Sequence, residues 1–424
     1  MSILIGKLAI FISRMLGNRG TDVGGRVALR FNKKVFSKLA KNIDTVILVT
    51  GTNGKSTITN VLASILDSSE YNTIDNRTGA NMYTGILSAM VEKYKFFGNK
   101  TIKYAVFEVD EGNVPKVLAE FDDAFLVVNN FFQDQLDRYL DISTLVEKID
   151  NAIKEDTKLV LNVDDPYCMT FSKYNYVGFG LDKKIGSLSE DASSVECPQC
   201  KETLNYIHNY YAHLGQYKCQ CGFEHQEPKY TLEEINNGSI IVDDVEYIHH
   251  LKGQYNTYNL LAAISVAQEA GLKKSLIQEG LKNYHSQDGR MQEFDINGSR
   301  VYLNLVKNPA GMNMTLQEVP SLNIKNIAII LNDYDGDGND VSWIWDVDFE
   351  SLLDLDIDNY FVSGTRAYDM AIRLQAMGVA SNDIIVNNLF ASLSDIVCSK
   401  DAIIVSSYTS LNDAKNELIK KEAK

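Results

Sequence analysis

The chain contains 424 residues, of which 45% are hydrophobic and 23% are charged, and its formal net charge is −15. These proportions are typical of a globular protein, and at roughly 100–200 residues per domain the length predicts two to four domains. The acidic balance argues against nucleic acid as a partner, because nucleic-acid binders need a basic surface that displaces counterions. No segment reaches the ~20 consecutive apolar residues of a membrane-spanning helix.

The first residues form an apolar segment, Ile3–Leu16, that is interrupted by Lys7 and Arg14. It has neither a preceding basic region nor a small-residue cleavage site, so we interpret it as a retained amphipathic helix and not as a signal peptide. It opens a helical segment over residues 1–40. Two alternatives stay open for this helix: packing against the first domain, or contact with a membrane surface. We therefore expect a cytoplasmic protein, either free or peripheral at the inner face of the cell membrane.

From residue 45 to about residue 180, continuous apolar runs alternate with helical stretches. The strand-like runs are Thr45–Thr50, Tyr104–Val109, Phe125–Asn129 and Leu159–Val163. Such runs, separated by helices, predict strands buried on both faces of a parallel sheet in an α/β protein. We assign residues 41–298 to this central domain, which includes a helix at Asn256–Ala270.

A second set of strand-like runs begins near Ser299 and predicts a smaller, Rossmann-like α/β domain over residues 299–424. Its runs are Val301–Val306, Ile327–Asn332, Tyr360–Ser363, Ile384–Val386 and Ala402–Ser406.

The strongest motif directly follows the first strand and opens a helix. It reads T-G-T-N-G-K-S-T and consists of Thr50, Gly51, Thr52, Asn53, Gly54, Lys55, Ser56 and Thr57. Glycines let the backbone bend so that its N–H groups and the helix N-terminus face phosphate oxygens. In such a loop Lys55 would neutralise the β- and γ-phosphates of ATP, and the Ser56 hydroxyl would bind Mg²⁺. The general consensus requires glycine where Val49 stands, so this loop is a variant form.

Four cysteines interrupt the central domain over about residues 187–228. They are Cys197, Cys200, Cys219 and Cys221. Their C-x-x-C and C-x-C spacing predicts a zinc ribbon with four thiolate ligands. Because four thiolates leave no open coordination position, we expect the Zn²⁺ to be structural. The chain has six cysteines in all, too few for a secreted disulfide scaffold, which fits a reducing compartment.

This form of the phosphate loop is typical of the Mur ligases and folylpolyglutamate synthetases, and the chain resembles that family at further positions in family order. The matching positions are Glu108, residues 130–139, the L-N-V-D-D-P turn at 161–166, G-Q-Y-N-T-Y-N at 253–259 and G-R-M at 289–291. The resemblance implies that Glu108 binds a second Mg²⁺ and that Arg290 reaches the γ-phosphate. It also implies that Asn256 and Asn259 contact the nucleotide. Gln135 stands where the family usually has a histidine, which puts metal ligation there in question.

The resemblance implies an ATP-dependent carbon–nitrogen ligase with a Mur-ligase-type core. Lys55, Arg290 and Mg²⁺ would stabilise charge on the γ-phosphoryl group while a substrate carboxylate attacks it. The resulting acyl phosphate is then opened by an amine. Lys55 and Glu108 are the catalytic residues that we expect in this core. The mechanism needs no covalent nucleophile, and neither Cys168 nor Cys398 lies on a glycine-flanked turn that would expose one.

The remaining features narrow the resemblance within the family. The phosphate loop begins too early for a preceding UDP-binding domain, so a UDP-anchored substrate is not expected. K-N-P-A-G-M-N at 307–313, S-W-I-W-D at 342–346 and the cysteine ribbon together resemble the synthetase subunits of Gram-positive lipid II isoglutaminyl synthases. That resemblance covers nearly the entire chain. Lys307 and Asn304 replace a histidine and an aspartate of related ligases.

This narrower resemblance implies a substrate, a partner and a further catalytic residue. The substrate would be lipid II at the membrane surface, where the α-carboxyl of D-glutamate in the stem peptide becomes D-isoglutamine. Ammonia would come from a separate, GatD-type class I glutaminase. Asp346 would serve the ammonia step, either by orienting the partner's catalytic histidine or by handling ammonia. The alternative for Asp346 is a capping or surface aspartate.

Two other functions stay open, together with one other metal site. The chain could add an amino acid to a carboxylate, as folylpolyglutamate and cyanophycin ligases do, or could be a non-catalytic scaffold for a glutaminase. Four intact residues argue against a scaffold: Lys55, Ser56, Glu108 and Arg290. The acidic segment Asp333–Asp340 begins like an EF-hand, but Ile344 occupies the position of the required glutamate, which argues against calcium.

Overall fold

The computed structural model describes residues 1–77, 80–95, 101–132, 142–186, 195–253, 255–285 and 289–422. The chain forms two compact units. Unit 1 comprises Met1–Phe131, Ile142–His250 and Asn256–Tyr284, and unit 2 comprises the other described residues, mainly those from His285 onward. The main part of unit 2 begins at His285, whereas the sequence pattern placed the boundary between residues 298 and 299. Within the described ranges, every helix is too short or too polar to span a bilayer.

Unit 1 is built on a nine-stranded sheet and a two-stranded hairpin. Its strands are β1 (Ile43–Thr50), β2 (Thr73–Asp75), β3 (Ile102–Glu108), β4 (Ala124–Val128), β5 (Thr157–Asn162), β6 (Tyr176–Leu181), β7 (Asn205–Tyr211), β8 (Leu214–Lys218), β9 (Tyr230–Asn236), β10 (Ser239–Val242) and β11 (Val245–Ile248). The sheet order is β11-β10-β9-β6-β5-β4-β1-β3-β2. The first six strands of the chain pair in parallel. The continuous apolar runs predict this for β1, β3, β4 and β5, whereas β2 and β6 were not predicted.

The helices of unit 1 are α1 (Ser2–Met15), α2 (Val23–Phe31), α3 (Val35–Ala40), α4 (Lys55–Asp67), α5 (Tyr83–Lys93), α6 (Val114–Leu118), α7 (Ile142–Asp150), α8 (Asn256–Glu269) and α9 (Lys274–Asn283). Helix α4, which begins in the phosphate loop, has buried apolar residues on most of its surface because it packs against both α8 and α9. Gly280 of α9 permits this close approach, since a Cβ there would lie 2.3 Å from the Ile65 backbone.

Two parts of unit 1 do not follow the alternation of strands and helices. Strands β7 and β8 form an antiparallel hairpin separate from the main sheet. Strand β9 joins the main sheet parallel to β6, and β10 and β11 then extend it antiparallel. The tight turn between β10 and β11 places Asp243 and Asp244 at φ 47° and 61°, the left-handed conformation that hairpin turns require.

Unit 2 is a second α/β layer structure. Its strands are β12 (Gln292–Ile296), β13 (Ser299–Leu305), β14 (Asn326–Ile330), β15 (Asn359–Ser363), β16 (Ile384–Val386) and β17 (Ala402–Ser406), and its helices are α10 (Pro309–Leu322), α11 (Ala367–Ala376), α12 (Phe390–Val397) and α13 (Leu411–Glu422). The sheet order is β12-β13-β17-β14-β15-β16. All neighbours are parallel except β12 and β13, which form an antiparallel hairpin that explains why this unit begins before residue 298.

Candidate nucleotide site, thiolate cluster and C-terminal turn

The phosphate loop connects β1 to α4 through two left-handed glycines. Gly51 has φ +130° and Gly54 has φ +88°. A Cβ on Gly54 would lie 1.9 Å from Oδ1 of Asn259, so only glycine fits this turn. Ser56 and Thr57 lie in the first turn of α4, Ser56 half-buried and Thr57 buried. The loop therefore has the geometry of a phosphate cradle at a helix N-terminus.

Asparagine side chains hold this loop from both sides. Asn130 Oδ1 accepts from the Asn53 N–H at 2.9 Å, and the Asn129 amide donates to the Asn53 carbonyl at 3.0 Å. The same Asn129 amide donates to Oδ1 of Asn259 at 3.1 Å, and Asn259 in turn donates to Asn256 at 3.0 Å. Asn256 and Asn259 are thus brought to the phosphate loop. The family motif gave no indication that Asn129 would connect Asn259 to this loop.

The side chain of Lys55 folds back over the loop and is buried. Its Nζ donates to the carbonyls of Gly51 at 2.5 Å and Thr52 at 3.2 Å, and lies 3.1 Å from Oε1 of Glu111. Both partners of this ion pair are less than a tenth exposed. Glu111 was not predicted from the sequence, although it lies only three residues beyond Glu108.

Glu108 ends β3, directly beside Val49 in the neighbouring strand. Its Oε1 accepts from the Asn81 amide at 2.9 Å, and its backbone N–H donates to Asn76 Oδ1 at 2.8 Å. These two contacts fix a half-buried carboxylate at the carboxyl edge of the sheet, where parallel strands carry their sites.

The D-D-P turn carries two fully buried carboxylates, and each meets a histidine of the cysteine insertion. Asp164 accepts from His225 Nε2 at 2.8 Å, from the Tyr258 hydroxyl at 2.9 Å and from the Leu181 N–H at 2.9 Å. Burial together with this contact holds the pKa of Tyr258 well above its usual value. The turn therefore connects the insertion to the sheet and to helix α8.

Asp165 accepts from the Phe131 N–H at 2.8 Å, and its Oδ2 lies 3.3 Å from His213 Nε2. Phe131 directly follows the asparagine pair that holds the phosphate loop. Neither histidine contact was predicted, because nothing in the sequence places these rings opposite the D-D-P turn.

The four cysteines predicted as zinc ligands lie together. Their Sγ atoms are all within 4.8 Å of one another, with 3.7 Å between Cys197 and Cys221 and 3.4 Å between Cys200 and Cys219. A backbone N–H donated by Cys221 lowers the pKa of Cys219 to about 7. Thiolates at these separations suit a tetrahedral metal ion with metal–sulfur distances of about 2.3 Å.

Each cysteine pair lies on a tight turn. The Cys197 N–H donates to Glu202 O at 2.7 Å, and the Cys219 N–H donates to Phe223 O at 2.8 Å. Gly222 closes the second turn at φ +94°. These paired knuckles are the local geometry of a ribbon that folds around a metal.

Arg290 belongs to unit 2 and therefore lies outside the compact unit that contains the phosphate loop. Its turn is fixed by Asn304, whose Oδ1 accepts from the Met291 N–H at 3.1 Å and whose amide donates to Thr315 at 2.7 Å. The asparagine that replaces the family aspartate thus orients the Arg290 turn from within the core of unit 2.

Asp346 is exposed at the end of a short 3-10 segment, Ser342–Asp346, in unit 2. The buried Arg373 fixes this segment by donating to the Ile344 carbonyl at 3.2 Å and to the Val347 carbonyl at 2.8 Å. Its guanidinium also lies 5.5 Å from the ring centroid of Trp345, which is 54% exposed. Arg373, which was not predicted from the sequence, therefore hydrogen-bonds the backbone on both sides of Asp346.

Some predicted positions lie outside the described residues or have other contacts. Residues 133–141, including Gln135, lie outside the described ranges. In the acidic segment that begins like an EF-hand, Asp337 accepts from the Thr409 N–H at 2.8 Å and Asp333 from the Thr365 hydroxyl at 2.7 Å. These two carboxylates thus bind neighbouring loops.

Family comparisons match both units. The Mur ligase middle domain family matches residues 49–267, and the MurT ligase C-terminal family matches residues 305–411. Among solved structures, a pseudomurein peptide ligase type C from Methanothermus fervidus is similar with a TM-score of 0.72 at 21% identity, covering 89% of this chain and 79% of that one. MurF from Acinetobacter baumannii has a TM-score of 0.68 at 15% identity, covering 94% and 81%.

Two curated relatives are similar over almost their full length. The chain is 35% identical to the MurT subunit of lipid II isoglutaminyl synthase (glutamine-hydrolyzing) from Staphylococcus aureus strain N315, with 97% of this chain and 95% of that protein covered. It is 33% identical to the MurT subunit from Streptococcus pneumoniae, with 100% and 98% covered. Fold, site geometry and full-length similarity agree, and this chain belongs to the MurT family of the Mur ligases.

Proposed function

We propose that this chain is the ATP-dependent synthetase that amidates the α-carboxyl of D-glutamate in the stem peptide of lipid II, giving D-isoglutamine for cell-wall synthesis. The observation that carries the proposal is the full-length similarity to MurT subunits of lipid II isoglutaminyl synthases. The loop around Lys55 supports the ATP-dependent step, because it combines a glycine cradle, a helix N-terminus and a buried lysine.

In this proposal the phosphate loop binds ATP. Backbone N–H groups from Gly54 to Thr57 face the phosphates, because those of Thr52 and Asn53 are donated to Asn130. Asn256 and Asn259 contact the nucleotide. Lys55 exchanges its contacts with loop carbonyls and Glu111 for phosphate oxygens, so the ion pair with Glu111 is its resting position. The family resemblance implies that Arg290 supplies a second cation for the γ-phosphate.

Ser56 and Glu108 are the residues that would hold Mg²⁺. Both offer half-buried oxygen ligands at the carboxyl edge of the β1–β3 pair, and oxygen is the donor that this ion prefers. When bound, Mg²⁺ offsets the negative charge of the transferred phosphoryl group. The chain's own contribution is the fixed position of Glu108, which Asn81 and Asn76 secure.

The reaction has two steps. A carboxylate oxygen of the substrate attacks the γ-phosphorus, the bond from the γ-phosphorus to the bridging oxygen breaks, and ADP leaves with an acyl phosphate remaining. The nitrogen lone pair of ammonia then attacks the carbonyl carbon, inorganic phosphate departs, and a proton is released. Lys55 and Arg290 stabilise the charge that develops in the first step.

We propose that the ammonia comes from a separate, GatD-type class I glutaminase. Asp346 is the residue that would serve the ammonia step, because Arg373 fixes its backbone while its carboxylate stays exposed. The exposed Trp345 beside it and the exposed Tyr368 on α11 are residue types enriched at protein interfaces.

We propose further that the thiolate cluster binds one structural Zn²⁺. The four cysteines fill a tetrahedral coordination shell and leave no position for a substrate.

The proposed function is tested by assaying lipid II amidation with the glutaminase complex and with ammonium salt. Lys55→Ala should lower the rate by about 10²-fold or more, since a preorganised charge contact typically contributes that much. Lys116→Ala is the matched control, because Lys116 is an exposed lysine of α6, and it should keep the wild-type rate. Addition of an amino acid in place of ammonia, or full activity of Lys55→Ala, would overturn the proposal.

A further inference from the structure

Helix α1 has two apolar faces, of which only one is used within unit 1. Gly6 and Ile10 are buried, and a Cβ on Gly6 would lie 2.8 Å from the Gly24 carbonyl of α2. A Cβ on Gly24 would lie 2.5 Å from the Ile10 side chain. Glycines at both positions therefore let α1 and α2 pack closely.

The helix is also fixed to α5 by charged contacts. The Arg14 guanidinium donates to both carboxylate oxygens of Glu92, at 2.6 and 2.9 Å, and Lys7 Nζ donates to the Glu92 carbonyl at 2.7 Å. The hydrogen bonds that Arg14 donates to Glu92 raise the pKa of Arg14 above its ordinary value. Helix α1 is therefore held in a fixed orientation on unit 1.

The opposite face of α1 is a continuous apolar stripe that remains exposed. The stripe consists of Met1 (95% exposed), Leu4 (58%), Leu8 (55%), Phe11 (60%), Ile12 (48%) and Met15 (73%). At 100° per residue these positions fall within one arc, centred opposite Gly6 and Ile10. A contiguous set of six large apolar side chains on a surface helix marks an interaction site, whereas scattered apolar residues do not.

The chain segment that carries this stripe is strongly basic, in contrast to the rest of the chain. Residues 1–42 contain nine lysines and arginines and a single acid, Asp22, which gives a charge of +8. Because the whole chain carries −15, the remaining residues carry −23. All the basic residues of this segment except Lys7 are exposed, including Arg30, Lys33 and Lys34.

We propose that the apolar stripe of α1, together with the basic residues of the first 42 positions, docks this protein on a membrane surface that contains anionic lipids. The exposed Leu, Phe, Ile and Met side chains of α1 enter the boundary between head groups and acyl chains. Exposed cations such as Arg30, Lys33 and Lys34 attract the anionic head groups. A second copy of the chain fits the stripe less well, because two such segments, each carrying +8, would repel each other.

Membrane binding through α1 is a separate property from the proposed amidation and does not depend on it. Vesicle binding requires neither ATP nor a stem peptide, so it can be measured when the enzyme is inactive. If the proposed function also holds, docking would keep the synthetase at the surface that carries its lipid-linked substrate.

The experiment is co-sedimentation of the full chain with vesicles of phosphatidylglycerol and phosphatidylethanolamine, compared with vesicles of phosphatidylcholine alone. Wild-type protein should bind the anionic vesicles and bind less as salt is added. Leu8→Gln combined with Phe11→Gln should weaken binding by about tenfold or more, since half-exposed Leu and Phe side chains would no longer be removed from water. Their matched control is Ile207→Gln combined with Ile248→Gln, which removes exposed apolar side chains elsewhere and should bind like wild type.

The electrostatic part is tested with Lys33→Gln combined with Lys34→Gln, where each lost cation should weaken binding about fivefold. Lys273→Gln combined with Lys274→Gln removes two exposed lysines elsewhere and should change binding little. Unaltered sedimentation of the Leu8 and Phe11 variant, or equal binding to neutral vesicles, would overturn the proposal. So would a lipid-free dimer that this variant dissociates, because the stripe would then be a protein interface.

Discussion

Nε2 of His225 lies 2.8 Å from Oδ1 of Asp164, a carboxylate without exposed surface, and this contact joins the cysteine ribbon to the nucleotide-binding core. The same carboxylate accepts from Tyr258 in helix α8, the helix that also carries Asn256 and Asn259. His225 itself lies four residues beyond Cys221. The thiolate cluster therefore supports the position of a ring that reaches the core.

Removing the proposed zinc should consequently destabilise all of unit 1 and not only the ribbon. We expect about one zinc per chain by elemental analysis, and a lower melting temperature after treatment with a chelator. Cys219→Ser should lose zinc and lower the melting temperature in the same way. Cys398→Ser, which removes a buried thiol from unit 2, should keep its zinc. Zinc-free protein prepared without a chelator would show that the thiolates have another role.

The His225–Asp164 contact itself should be measurable in urea unfolding. His225→Ala leaves Asp164 with two of its three partners, and we expect the free energy of unfolding to fall by about 1–3 kcal/mol, the usual cost of an incompletely paired buried polar group. His225→Gln, which can still donate to the carboxylate, should recover part of this loss.

The control for His225 is His208→Ala. His208 hydrogen-bonds the Ile185 carbonyl at 2.8 Å, which is a neutral acceptor, so its removal should cost less, about 0.5–1.5 kcal/mol. Equal losses for the two histidines would mean that the buried carboxylate does not need His225.

The parallel strands could be predicted because a continuous apolar run of five or six residues is too short for most buried helices and is typical of a buried strand. The runs at Thr45–Thr50 and Ala402–Ser406 correspond closely to β1 and β17. Strands β9, β10 and β11 were not predicted, although Asn237–Gly238 and Asp243–Asp244 are good hairpin turns between alternating residues. Their edge position in an otherwise parallel sheet gives them a weaker hydrophobic pattern than the buried strands.

The candidate site could be predicted where a motif has local spacing, or where the family resemblance supplies a position, as it does for Asn256 and Asn259. Gly51 to Thr57 and the four cysteines could be identified because local spacing alone determines their geometry. Glu111, Asn129 and His225 could not, because their roles depend on tertiary contacts with Lys55, Asn259 and Asp164. Periodicity and spacing carry no information about such pairs of distant residues.

The fit of Gly54 against Asn259 gives a test of the nucleotide site. Gly54→Ala places a Cβ in left-handed backbone, at a cost of about 1–2 kcal/mol, and 1.9 Å from the Asn259 amide oxygen. Since the loop must then shift, we expect the affinity for ATP to fall at least about tenfold in calorimetric titrations.

Gly271→Ala separates the two effects of that substitution. Gly271 has a similar φ of +81°, but a Cβ added there would have no atom within 4 Å, so only the backbone cost applies. This variant should lose a similar amount of stability from its backbone while binding ATP normally. Weakened ATP binding in both variants would indicate a general loss of folding instead of a specific clash.

Asp346 allows the ammonia step to be separated from the ATP-dependent step. Its carboxylate is exposed, and Arg373 donates to the carbonyls of Ile344 and Val347 on either side of it. In the proposed function this carboxylate orients the catalytic histidine of the glutaminase. Loss of a carboxylate that orients such a histidine can lower a rate by about 10⁴-fold. The control is Asp354→Asn, which neutralises another exposed aspartate of unit 2 and should leave amidation unchanged.

In complex with the glutaminase, Asp346→Asn should therefore lose most glutamine-dependent amidation of lipid II. It should still bind ATP, because the phosphate loop belongs to unit 1 and Asp346 is not among the residues proposed to contact the nucleotide. Ammonium salt at high concentration should restore part of the activity, since free ammonia bypasses the glutaminase. The measurement is the amount of amidated lipid II formed with each nitrogen source. Equal loss with both would assign Asp346 to the synthetase step, and wild-type activity with glutamine would leave it a surface aspartate.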